Sequence, residues 1–266
     1  MADILRVENL RVHFKDAAPD RFAVDGVSFS IGEGEILGLV GESGSGKTVT
    51  AMSISGLLPR GKAEVSGHIT LDGSEILQCP ETELLDILGE ELGIVFQEPM
   101  TSMNPVMKIG PQIEECLRVH TKMSKAQRKE FALEAMMMAE LDEPEKLYNK
   151  YPHELSGGML QRAMIAAAII SRPKLLLADE PTTALDVTIQ AEILQLLQRL
   201  NKEYNMAILL ISHNLHVVRK LCKRVAVMQR GKLIEDRPVE DIFNDPRHEY
   251  TQQLIAAIPT RDKKLY

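Results

Sequence analysis

The chain has 266 residues, enough to bury a full core as one large domain or as a domain with an inserted lobe, and a formal net charge of −7. That acidic balance argues against a nucleic-acid protein, because a duplex backbone asks for a basic face. Cys79, Cys116 and Cys222 are odd in number and far apart, so they form no CxxC pair and suggest free thiols in a reducing compartment.

In chain order, residues 3–14 alternate apolar and polar side chains, as a charged strand does and a cleavable leader does not. "FAVDGVSFSI" (Phe22–Ile31) and "GHITLDGSEI" (Gly67–Ile76) alternate in the same way, punctuated by Gly or Asp-Gly. "EILGLV" (Glu35–Val40), "KLLLAD" (Lys174–Asp179) and "MAILLIS" (Met206–Ser212) are continuous apolar runs of strand length. Each precedes a helical pattern, which predicts a parallel sheet buried on both faces. Between the first two runs, Pro99, Pro105, Pro111, Pro144 and Pro152 punctuate polar helical stretches, and Ser124 with Gln127 makes a capping-box pattern. This region, about 98–160, reads as a helical lobe inserted into an α/β domain spanning residues 1–240, with 241–266 as a short tail. The consecutive Met136, Met137 and Met138 read as adaptable core filling. The longest apolar run, Ala163–Ile170, is eight residues, too short to span a bilayer, so a soluble chain is expected.

"GESGSGKT" (Gly41–Thr48) fits G-x-x-x-x-G-K-[ST], with a strand before it and a helix after it as the motif requires. Glycines at 44 and 46 let backbone N–H groups wrap phosphates where a β-carbon would obstruct, and the helix N-terminus adds partial positive charge. Lys47 then reaches the β- and γ-phosphates of a nucleotide, and the Thr48 hydroxyl ligates Mg²⁺. "LLLADE" (Leu175–Glu180) ends a buried strand in two carboxylates, where an open α/β sheet places its ligands. Asp179 suits the metal and Glu180 suits a general base for the attacking water. The same two residues, taken alone, would suit a strand end and a helix cap. His213 follows the strand "ILLIS" on the same edge, placed to contact the γ-phosphate and the water.

These motifs together resemble an ABC ATPase subunit. "GESGSGKT", Gln97, "LSGGM" (Leu155–Met159), "LLLADE", "ALD" (Ala184–Asp186) and His213 occur in that family's order over residues 41–213. "FQEPMTSMNPV", "SGGMLQR", "EPTTALDVTIQ" and "HEYTQQLIAAIP" are similar to the dipeptide, oligopeptide and nickel branch of ABC importers, and within it to the first, D-type ATPase subunit of a heterodimeric pair.

The resemblance implies a P-loop, RecA-like α/β core with an antiparallel β-subdomain and the inserted helical lobe. The implied activity is ATP hydrolysis driving import of di- or oligopeptides, or alternatively of nickel or a metal chelate, through two membrane permease subunits fed by an extracytoplasmic solute-binding protein; a second alternative is a non-transport ABC ATPase. By this resemblance Phe14 stacks on adenine, with Phe22 as its competitor, and Gly41, Glu42, Ser43, Gly44, Ser45, Gly46, Lys47, Thr48 and Asp179 bind ATP. Gln97, Glu180 and His213 serve hydrolysis; Thr48, Gln97 and Asp179 hold Mg²⁺. Ser156, Gly157, Gly158 and Asp186 close over the ATP of a second ATPase subunit. "EPMTSMNP" faces the membrane subunit, which sets the chain on the cytoplasmic face of the cell membrane, with no nucleic acid among its partners.

Two departures stand out. Asn214 replaces the branch's usual aspartate, though Asn caps a helix about as well. The cysteine-rich extension of many peptide-importing relatives is missing after the "IP" stretch, so an iron–sulfur site is not expected.

Overall fold

The structure, a computed structural model, describes residues 3–18, 20–59, 61–183 and 185–258, so Ala184 of the Ala-Leu-Asp stretch and residues 259–266 of the expected tail lie outside it. Strands β1 (Asp3–Phe14), β2 (Val24–Gly32) and β3 (Ile36–Val40) lead into α1 (Lys47–Ile54). β4 (Ala63–Leu71), β5 (Ser74–Glu75), α2 (Glu81–Glu91) and β6 (Leu92–Val95) follow. A helical stretch then carries α3 (Pro99–Ser102), α4 (Ile109–Ile113), α5 (Glu115–His120), α6 (Lys125–Met138), α7 (Pro144–Leu147), a 3-10 turn at Pro152–Glu154 and α8 (Gly157–Ile169). β7 (Leu175–Asp179), α9 (Val187–Tyr204), β8 (Ala207–Ser212), α10 (Leu215–Leu221), β9 (Arg224–Gln229) and β10 (Lys232–Pro238) come next, followed by α11 (Val239–Asn244) and α12 (Glu249–Ala256).

β2, β1, β4 and β5 pair in that order as an antiparallel sheet. The second sheet runs β10-β9-β3-β8-β7-β6, parallel from β9 to β6 and antiparallel only between β10 and β9. The continuous apolar runs are explained by what lies on each face. Leu37, Leu39, Leu177, Leu209 and Ile211 pack into the core shared with the antiparallel sheet. Their strand neighbours Ile36, Val40, Leu176, Ile208 and Leu210 pack against helices. Both faces are covered, so both side-chain rows must be apolar. Gly38 in β3 has no room to spare: a Cβ there would come within 2.7 Å of Val218 Cγ1, so the glycine lets α10 lie close on the sheet.

The lobe buries Ile109, Ile113, Leu117, Ala132 and Met136 with Leu160 and Ile165 of α8, the helix that contains most of the apolar run read from the sequence. The expected capping box is formed: Ser124 Oγ accepts from Gln127 N at 3.3 Å, and Gln127 Oε1 accepts from Ser124 N at 2.9 Å. The methionine triplet divides: Met136 is fully buried while Met137 is 57% exposed, so only part of it fills the core. Three strands, β6, β9 and β10, stand where the sequence pattern assigns none. The stretch read as a tail carries α12, whose Tyr250 is buried in the helix-side core. Among the described residues, no helix is long and apolar enough to cross a membrane.

Candidate active site

The strand order β3-β8-β7-β6 sets four parallel strand ends side by side, each feeding one element of a single cleft. The Gly41–Gly46 loop leaves β3, His213 follows β8, Glu180 follows β7, and Gln97 follows β6. The loop needs its glycines. Gly46, at the N-cap of α1, has φ of +106, and a Cβ there would sit 2.6 Å from Ala23 O. Gly44 has φ of +77 and open space where a Cβ would project, which leaves the loop backbone bare toward the cleft.

Lys47 is 6% exposed, and its Nζ donates to Gly41 O and Glu42 O, each at 2.8 Å. Burial pushes its pKa down, opposed by the negative charges of Glu180, Asp179 and Glu42. Asp179, at the end of β7, lies beside Thr48, Lys47 and Glu180. Burial and the neighbouring Glu180 push the Asp179 pKa up, against the pull of Thr48 and Lys47.

Glu180 has φ of +47, in the left-handed region that side chains disfavour. Two donors and one imidazole nitrogen meet its carboxylate. Gln97 Nε2 approaches Oε2 at 2.9 Å, Thr183 Oγ1 donates to the same oxygen at 3.0 Å, and His213 Nδ1 lies 2.9 Å from Oε1. Gln97, Glu180 and His213 therefore meet, although they lie far apart along the chain. Thr183 was not singled out by sequence. Its only signal is its place three residues after Glu180, which is also ordinary helix-cap spacing.

A second cleft, of about 660 Å³, adjoins the first through Ala23 and Gly44. Phe14 and Phe22 both line it. Phe22 is 37% exposed and stands edge-to-face to His13, whereas Phe14 is partly buried against the inter-sheet core. The geometry brings both aromatic candidates to the same slot.

Ser156, Gly157, Gly158 and Asp186 line neither cleft. Ser156 caps α8, its Oγ accepting from Met159 N at 3.3 Å, and Asp186 caps α9, its Oδ1 accepting from Ile189 N at 3.0 Å. The two helix starts are packed together. Gly158 lies against Ile189, and Arg162 binds both Glu140 and Glu192. Asn214 caps α10 through bonds from His216 N and Val217 N.

The donor set suits a nucleotide with a hard divalent cation: a bare loop, a buried ammonium, and the oxygens of Thr48, Asp179 and Gln97 within one site. Among the described residues, no three His, Cys, Asp or Glu side chains would hold a metal unaided.

The profile of the family described as "ABC transporter" matches residues 24–183. The peptidoglycan transport ATP-binding protein YejF of Agrobacterium fabrum is 49% identical over 96% of the chain, which spans only 47% of that relative's length. The oligopeptide transport ATP-binding protein OppD of Bacillus subtilis is 46% identical over 97% of the chain and 72% of its own length. Among solved structures, a dimeric ATP-binding cassette in a post-hydrolysis state, bound to ADP and Pi, superposes with a TM-score of 0.77 at 29% identity, covering 88% of the chain and 98% of that structure.

Proposed function

The chain belongs to the ABC transporter family, and we propose that it is the ATP-hydrolysing subunit of an importer of di- or oligopeptides. The observation that carries the chemistry is the convergence of a buried lysine, the neighbouring Thr48 and Asp179, and a Glu180 carboxylate that meets Gln97, Thr183 and His213. The peptide cargo is supported by the names of the oligopeptide and peptidoglycan transport relatives.

In this reading the adenine lies against Phe14 in the outer cleft, and the phosphates meet the loop backbone and the Lys47 ammonium. Mg²⁺, held by Thr48, Gln97 and Asp179, would neutralise phosphate charge. Glu180 takes the proton of the attacking water, while His213 and Gln97 hold the Glu180 carboxylate in place from two sides. Ser156, Gly157, Gly158 and Asp186 lie outside this cleft because they serve the ATP of a second ATPase subunit, where two helix starts meet its phosphates. The exposed apolar side chains Phe96 and Val106 flank the Pro-rich stretch after Gln97 and Met100 lies within it, and the three suit a dock for a membrane permease. A chain docked there would draw on the ATP of the cytoplasmic face of the membrane.

The test is ATP hydrolysis by the chain assembled with the second ATPase subunit and the permease pair in lipid vesicles. Peptide-loaded binding protein should stimulate hydrolysis, and a nickel chelate should not. Stimulation by the chelate alone would overturn the cargo, and hydrolysis unchanged by Glu180→Gln would overturn the catalytic assignment.

A further inference from the structure

The stretch "HEYTQQLIAAIP" has no part in the chemistry above, yet one of its side chains reaches the phosphate loop. Tyr250 of α12 is 5% exposed, and its hydroxyl accepts a 2.8 Å hydrogen bond from the backbone N–H of Glu42, 208 residues earlier. That N–H belongs to the peptide joining Gly41 to Glu42. The carbonyl of the same peptide, Gly41 O, accepts from Lys47 Nζ at 2.8 Å. A trans peptide is planar and sends its C=O and N–H in opposite directions, so gripping one end fixes where the other points.

We propose that Tyr250 is a positioning residue for phosphate binding, which aims the Gly41–Glu42 peptide so that its carbonyl holds the Lys47 ammonium for the β- and γ-phosphates of ATP. The inference rests on the reading of Lys47 as a phosphate ligand.

A grip of this kind needs a base that does not move with the loop, and α12 has one. Glu235 on β10 is 8% exposed and accepts from His248 N at 2.7 Å and Arg247 N at 3.3 Å. Its burial opposes ionisation, but these N–H bonds, with side-chain donors beside them, hold its pKa below the ordinary range. Arg237 Nη1 donates to Asp245 O at 2.8 Å, and Tyr250 N donates to His248 Nδ1 at 3.2 Å. The start of α12 is thereby tied to an edge strand of the sheet, and the hydroxyl reaches the loop from that fixed point. A tyrosine serving only as core filling would need its ring but not its oxygen.

Tyr250→Phe keeps the ring and removes the oxygen. Affinities of the full-length wild type, Tyr250→Phe and Lys47→Ala for ATP, ADP and AMP would be measured by competition against a fluorescent ATP analogue. Tyr250→Phe should weaken ATP and ADP binding about three- to tenfold, the scale of one net hydrogen bond. AMP, which offers Lys47 no β- or γ-phosphate, should bind as to the wild type. The Glu42 amide should also exchange with solvent faster in the variant. ATP affinity within about twofold of wild type, equal loss for all three nucleotides, or unchanged exchange at Glu42 would overturn the inference alone. Wild-type ATP affinity in Lys47→Ala would overturn the reading of Lys47 and the inference with it.

Discussion

At Glu180 the backbone is strained and the side chain is fully engaged. A residue with a β-carbon held at φ of +47 persists only where its surroundings impose it. Here its N–H is bound to Ile211 O at 2.9 Å, and Gln97, Thr183 and His213 hold its carboxylate. Glu180→Gln preserves the shape but accepts no proton. ATP should still bind, while hydrolysis in the assembled complex falls about 10²-fold or more. Near-normal turnover would remove Glu180 from the role. Asp179 gives a prediction in the opposite direction, toward greater stability. Its folded pKa is raised, first by burial and then by Glu180. A raised carboxyl pKa favours the folded state only below the unfolded pKa, and that advantage is lost as pH rises through the folded value. Asp179→Asn should therefore raise Tm at about pH 7 without nucleotide, and the gain should vanish near about pH 4, where the unfolded carboxyl titrates. A lower Tm at neutral pH would show that Asp179 stabilises the fold as an anion.

The helix that follows His213 is short and starts on a side-chain cap. α10 has seven residues, and Asn214 Oδ1 accepts from His216 N at 3.0 Å and Val217 N at 3.4 Å. Asn214→Ala should cost about 0.5–2 kcal/mol in denaturant unfolding, and Asn214→Asp should stay near wild type, since both residues cap well. An Ala variant as stable as wild type would mean that packing against β3, not the cap, holds the helix. The elements differ in how far the sequence discloses them. β3, β7 and β8 are legible because burial on both faces forces unbroken apolar runs. β6 is four residues on the heels of α2, too short for a period to register. β10 reads "KLIEDRP", with polar side chains along an edge, and β9 holds only a four-residue buried run, Val225–Met228. The loop, Glu180 and Asp179 were readable from local spacing. Thr183 and Tyr250 were not, because hydrogen bonds made in the folded chain leave no periodic trace, least of all the Tyr250–Glu42 bond across 208 residues.

For the whole molecule, the central claim is that two glycine-led helix starts serve two different nucleotides. The Gly41–Thr48 loop carries the buried Lys47 within its own cleft, whereas Ser156–Gly158 lines neither cleft and is locked to the start of α9. ATP would then join two ATPase subunits, each completing the other's site. The two glycines of the second loop are not equivalent as probes. A Cβ at Gly158 would come 2.9 Å from Ile189 Cγ2, but at Gly157 its nearest contact is Leu185 Cδ2 at 3.7 Å, so Gly157 accepts a side chain without local repacking. The decisive measurement is the ATP affinity of isolated Gly157→Asp and Lys47→Ala chains, followed by ATPase activity after assembly with the second subunit and the permeases. Gly157→Asp should bind ATP like the wild type when isolated and hydrolyse none once assembled, because its carboxylate faces the other subunit's phosphates. Lys47→Ala should fail already at binding. If Gly157→Asp weakens isolated binding as severely as Lys47→Ala, the second loop serves its own chain's nucleotide and the two-subunit account is contradicted.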